Sequence, residues 1–111
     1  MNKVVVSGNV VAAPQMRTAG ETPVANYTIA VRRNRPGSDG NYESDFIRCV
    51  AFGNAAKFAE KYIEKGTPLN VVGRIQVDSY TNKDGQKVNA TVVVVEEQEF
   101  AGRKPAASTE S

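Results

Sequence analysis

Ser44-Asp45-Phe46-Ile47-Arg48-Cys49-Val50-Ala51-Phe52-Gly53 separates into two chemically different alternate sets. Ile47, Cys49 and Ala51 are small or apolar, whereas Phe46, Arg48, Val50 and Phe52 place two large rings around a cation. Successive side chains of a strand point to opposite faces, so the first set suits the interior of a small barrel and the second forms an outer wall. Burying Arg48 is costly, which makes its side the outward one and carries Phe46 and Phe52 out with it. Such a wall offers rings on which bases stack and a cation for phosphates. The alternative is that a loop or a partner subunit covers the rings; two rings flanking an arginine favour binding.

Residues 24–33 alternate Ala25, Tyr27, Ile29 and Val31 against Asn26, Thr28, Ala30 and Arg32, so Arg32 faces outward like Arg48. Between these two strands, Arg33-Asn34-Arg35-Pro36-Gly37-Ser38-Asp39-Gly40-Asn41-Tyr42 has no periodicity and is dense in turn residues, which predicts a long, mobile hairpin loop. Arg32, Arg33 and Arg35 cluster at its root, and a basic loop carrying Tyr42 suits closure over an anionic polymer; a solvated tip is the alternative. Residues 3–12 are valine-rich and read as a first strand bent at Gly8, ended by Pro14 and followed by a turn around Gly20 and Pro23. Its valines lie on both faces (Val4, Val6 and Val10 against Val5 and Val11), although a barrel needs only one apolar face. The surplus points to a subunit interface.

After Gly53 the period changes. Ala55, Phe58, Ala59, Tyr62 and Ile63 follow a helical stripe, with Asn54 as expected N-cap and Gly66 as expected C′ residue, giving a helix over about 55–65. Phe58 and Tyr62 lie on the stripe and are expected to plug one end of the barrel. In residues 69–80, Leu69, Val71, Gly73, Ile75 and Val77 alternate with Asn70, Val72, Arg74, Gln76, Asp78 and Tyr80, which puts Arg74 and Tyr80 outward. Asn82-Lys83-Asp84-Gly85 is a hairpin turn with Lys83 at its tip and Lys87 beyond it. Residues 88–100 complete the sheet, and Val92-Val93-Val94-Val95 is again apolar on both faces, so Val93 and Val94 join Val4, Val5 and Val6 as candidate interface residues. Residues 101–111 are small and polar and are expected to be disordered.

The 111 residues carry a formal net charge of +2, the size of one domain with too even a balance to name a partner by itself. No apolar run approaches a membrane span, no signal peptide is visible, and the single cysteine, Cys49, sits at an inward position, so cytoplasm is expected. The absence of histidine, with that one inward cysteine, removes the ligands of a zinc site and the usual base and nucleophile pairs. Gly53-Asn54-Ala55-Ala56-Lys57 lacks the second glycine of a phosphate loop, and Glu96, Glu97 and Glu99 read as a solvated edge. No cofactor, no metal and no catalytic residue is expected.

The element order is that of the OB-fold, a five-stranded Greek-key barrel with its helix between strands 3 and 4. Asn2-Lys3-Val4-Val5-Val6-Ser7-Gly8-Asn9-Val10, Val24-Ala25-Asn26-Tyr27-Thr28-Ile29-Ala30-Val31, Asp45-Phe46-Ile47-Arg48-Cys49-Val50-Ala51-Phe52-Gly53 and Lys65-Gly66 with Val72-Gly73-Arg74-Ile75 resemble the bacterial and phage single-stranded DNA-binding proteins. The resemblance runs over about residues 1–100. It implies a homo-oligomer, most often a tetramer, around which single-stranded DNA wraps during replication, recombination and repair. It also implies that Phe46, Phe52 and Tyr80 stack bases. Arg35 falls where many relatives carry a further aromatic, and Asp78 and Asn54 where some carry a basic residue, which implies weaker stacking and fewer phosphate contacts. Cellular members finish in an acidic tip closing on phenylalanine, whereas the last residues here are Ala107-Ser108-Thr109-Glu110-Ser111, so no recruitment of replication proteins through such a tip is expected. Two other readings compete: a primosome-type replication accessory, and an OB domain whose aromatic face meets protein or oligosaccharide.

Overall fold

The computed structural model describes residues 1–102. Six strands and one helix follow the order β1 (Val4–Val10), β2 (Gln15–Ala19), β3 (Thr22–Pro36), β4 (Tyr42–Phe52), α1 (Asn54–Tyr62), β5 (Pro68–Thr81) and β6 (Lys87–Phe100). The strands are ordered β1-β5-β6-β4-β3-β2, and a further β1–β3 pairing closes five of them into a ring. The helix falls between the third and fourth strands of that ring, the arrangement expected of an OB-fold. All pairings are antiparallel except β4 with β6, where Cys49 faces Val93 and Val50 faces Val94.

The ring closes because β1 changes partners along its length. Its first residues pair only with β5, from Val4 opposite Gly73 onward, and β3 joins at Asn9 opposite Ala30. Gly8 sits at the crossover, and a Cβ there would lie 2.3 Å from the Ala30 carbonyl oxygen, so only glycine lets β3 approach. Gly73 plays the same part opposite a bulge at Glu96 of β6, where a Cβ would meet the Val94 oxygen at 2.1 Å.

Alternate residues fill the interior: Val10, Ala25, Tyr27, Ile29, Cys49, Ala51, Leu69, Val71, Val93 and Val95 are buried in one cluster, with Ala56, Ala59 and Ile63 of the helix end closing it. Tyr27 carries the one buried hydroxyl of the strands' interior and donates to Gln98 Oε1 at 2.7 Å; Gln98 Nε2 donates in turn to the Ala55 carbonyl at 2.6 Å, tying strand, strand and helix together. Burial raises the Tyr27 phenol far above its ordinary range, with Cys49 adding to the shift, and pushes the Cys49 thiol up to about 12. Cys49 is therefore an inert core residue.

Several expectations are corrected here. The turn at Gly20 is present, but the stretch between Pro14 and that turn forms an additional strand, β2, which pairs with the start of β3 from Gln15 opposite Asn26 to Ala19 opposite Thr22. The long loop expected at 33–42 is half strand: β3 runs to Pro36, β4 starts at Tyr42, and the short turn between them is closed by Gly37 N–H to the Asn41 carbonyl at 2.7 Å. The helix is capped by Gly53, not Asn54, and ends at Tyr62, with Ile63 already extended. Asn54 makes no side-chain cap bond there because Gly53, at φ +62°, is the residue that turns the chain into the helix. Phe58 is half-buried against Tyr62 and Phe100 at ring separations of 5.0 and 5.8 Å, whereas Tyr62 is exposed; the buried centre of the helix face is Ala56 and Ala59.

The expected tail falls largely on residues 103–111, which lie outside the described residues; Ala101 donates to the Pro68 carbonyl at 3.0 Å. No helix among the described residues is long and apolar enough to cross a membrane.

Candidate nucleic-acid interface

The alternation of β4 holds throughout the ring. Cys49 and Ala51 are buried and Ile47 packs on the core, so Phe46, Arg48, Val50 and Phe52 face out, with Tyr42 on the same side by parity. The neighbouring strands extend this wall: Ala30 pairs with Phe46, Thr28 with Arg48 and Asn26 with Val50 on one side. On the other, Val94 lies between Val50 and Arg74, and the same face continues along β5 through Gln76 and Asp78 to Tyr80. Phe46 is 67% exposed, Tyr80 54%, Tyr42 47% and Phe52 44%. Four rings left in water on one face of a small protein cost hydrophobic free energy until something flat covers them.

Two antiparallel ribbons carry the wall beyond the ring. The β3–β4 ribbon presents Arg32 and Tyr42 together, the guanidinium lying 4.2 Å from the ring centroid, which covers one face of Tyr42 and leaves the pair as a composite of cation and ring. Arg33 points to the opposite side, where its guanidinium donates to Asp45 at 2.8 Å and to Glu43 at 3.4 Å. Alternation places it behind the wall, where two carboxylates hold it. Hydrogen bonding and then the charge of Arg33 hold the Asp45 carboxyl below the ordinary carboxylate range, and the same contacts raise Arg33 further above its own. Arg35 is exposed at the far end, past a bulge between Arg32 and Pro36, beside Asn34, Gly37 and Glu43.

The β5–β6 ribbon ends in the expected turn. Asn82 Oδ1 accepts the Asp84 and Gln86 N–H groups at 3.0 and 2.9 Å, and Gly85 adopts φ +79°. Lys83 is exposed at this tip, whereas Lys87 pairs with Thr81 and so lies on the side opposite Tyr80. Arg74 stands on the wall, its Nη1 donating to Gln76 Oε1 at 3.3 Å. Between the wall and the 11–15 segment opens a groove of about 460 Å³ lined by Gln15, Asn26, Thr28, Arg48, Val50 and Val92. Gln15, Asn26 and Thr28 escaped sequence reasoning because their closeness to Arg48 depends on the β2–β3–β4 register; outward parity on β3 was the available signal for two of them.

The candidate interface valines separate. Val93 is core, and Val4 and Val6 pack against the core from within. Val94 faces out but is only 9% exposed, because Val24 and Val50 cover it in a small outer cluster flanked by Val92. The apolar surplus of the β6 run is thus satisfied within the chain. Val5 stays 68% exposed, and Ile75 and Val77, on the inward parity of β5 but past the closed part of the ring, are exposed as well.

The sequence model of the single-strand binding protein family matches residues 1–101. The chain belongs to this family. Relatives within it include proteins named single-stranded DNA-binding protein from Enterococcus faecalis, 44% identical over 97 residues, and from Halalkalibacterium halodurans, 39% identical over 101. These matches take in 86% and 90% of the chain but 52% and 60% of the relatives, so the chain spans little more than half of their length. A Staphylococcus aureus relative of the same name is 34% identical over 111 residues, covering 99% of the chain and 71% of that protein. The family match spans the whole ring and both ribbons, and so contains every strand that builds the aromatic wall.

Proposed function

We propose that this chain binds single-stranded DNA with little regard to sequence, protecting it during replication, recombination and repair, and that it acts by binding rather than by catalysis. The observation that carries the reading is the wall itself: Phe46, Phe52, Tyr80 and Tyr42 exposed on one face with Arg48, Arg74 and Arg32 among them. Rings take base faces of any identity, and the arginines follow the phosphates. Family membership and the printed names of the relatives support the same reading. Residues 1–100 act as the binding unit.

Copies of the chain assemble, most simply as a tetramer, so that one strand meets several walls. The support is the uncovered apolar surface at Val5, Ile75 and Val77, which this chain does not bury by itself. The test is titration with homopolymeric oligonucleotides at two salt concentrations. Binding of single strands is expected with log affinity falling at about −0.7 per phosphate neutralised against log salt. No binding, or binding indifferent to salt, overturns the proposal and favours a protein partner for this face.

A further inference from the structure

Asp78 is the one group on the wall that phosphate binding leaves without a use. Among the residues that face outward from 24–32 of β3, β4, 74–80 of β5 and 88–94 of β6, it is the only carboxylate. Its carboxylate is exposed and its direction is fixed: Arg74 donates to Gln76, and Gln76 Nε2 donates to Asp78 Oδ1 at 3.0 Å. The second oxygen, Oδ2, is left free, and the residue opposite on β6 is Ala90, too small to cover it. Tyr80 stands two residues further along the same face, about 7 Å away by strand spacing. The edge of a base stacked on Tyr80 reaches that far.

A carboxylate on this wall has two consequences for a nucleic-acid strand. It repels phosphates, so a strand crossing β5 turns its bases rather than its backbone toward Asp78. It also only accepts hydrogen bonds, so it favours base edges that carry N–H donors. Cytosine offers its N4 amino group at the position where thymine offers the O4 acceptor. We propose that Asp78 reads the base stacked on Tyr80 and gives this subsite a preference for cytosine over thymine. The proposal rests on the reading of the wall as a single-strand site and adds a local preference to it.

The test is the ratio of affinities for oligo-dC and oligo-dT of equal length, at constant salt and mildly alkaline pH, for the unmodified protein, Asp78→Asn and Asp78→Ala. Using the ratio cancels differences in overall charge and in fold stability. The dC-to-dT preference is expected to fall about five- to tenfold in both variants, the worth of one hydrogen bond at a solvent-exposed site, while affinity for oligo-dT rises as the repulsion disappears. The same ratio in all three proteins overturns the role of Asp78 and leaves single-strand binding standing. If the unmodified protein binds neither oligomer, the reading of the wall falls and this proposal with it.

Discussion

Phe46 is the ring on which the binding account depends most, because more of it is exposed than of any other aromatic side chain on the wall. A phenylalanine presents roughly 200 Å² in all, and 67% of this one is free. A base covers one face, about half of that free area, so stacking removes on the order of 65 Å² of ring surface from water, roughly 1.6 kcal/mol at about 25 cal/mol per Å². This lies within the ~1–3 kcal/mol span for base–aromatic stacking and corresponds to about a 15-fold loss of affinity in Phe46→Ala. The same reasoning gives about tenfold for Tyr80→Ala and about sixfold for Phe52→Ala, since those rings expose less. The assay is anisotropy of a labelled pyrimidine oligonucleotide, with a thermal melt as control. Because Phe46 contributes little to the core, its truncation should change stability by less than about 1 kcal/mol. Unchanged affinity in all three variants refutes the stacking site. Losses in the reverse order refute the area argument.

Acid should loosen the β3–β4 ribbon: Arg33 holds the Asp45 carboxyl below its unfolded value, so that contribution is present above the ordinary carboxylate pKa and is lost as pH falls through the depressed one. Protection factors of residues 31–45, taken against the intrinsic exchange rate at each pH, should fall on acidification, and Asp45→Asn should show the reduced protection already at neutral pH; a variant as protected as the parent contradicts the clamp. In the core, Leu69→Ala, at a fully buried site, should cost about 2–5 kcal/mol in denaturant unfolding, half-buried Phe58→Ala about 2–3, and exposed Tyr62→Ala less than either. Equal costs for Phe58 and Tyr62 would mean that the helix face is misplaced. Val5→Glu should split the assembly into smaller particles by light scattering and weaken binding of long DNA more than of short oligonucleotides. A monomeric unmodified protein at micromolar concentration removes the basis for assembly.

The outer wall was legible in the sequence because one face of β4 must fill a closed interior, which fixes the parity of every residue along it. The turn at Asn82 was legible because side-chain hydrogen bonds within four residues define it. By contrast, β2 has only Met16 as a large apolar residue, and its ladder to β3 is made by backbone groups that leave no side-chain pattern. The extension of β3 beyond Arg33 to Pro36 was hidden for the same reason, and grouping Arg33 with the loop root set aside the strand parity that puts it behind the wall. The run Val92 to Val95 is apolar on both faces, so alternation carries no sign there; the register with β4 and β5 settles that Val93 is core and Val94 outer. The outer cluster of Val24, Val50 and Val94 brings together three strands and could not be seen from any one of them.

The central claim is that single-stranded DNA lies on the face formed by β4 and the distal part of β5, and photocrosslinking tests it most directly. Irradiated complexes with oligo-dT, digested and read by mass spectrometry, should carry adducts on Phe46, Phe52, Tyr80 or Tyr42. Adducts confined to Phe58, Tyr62 or Phe100, the rings grouped beside the helix, would contradict the account.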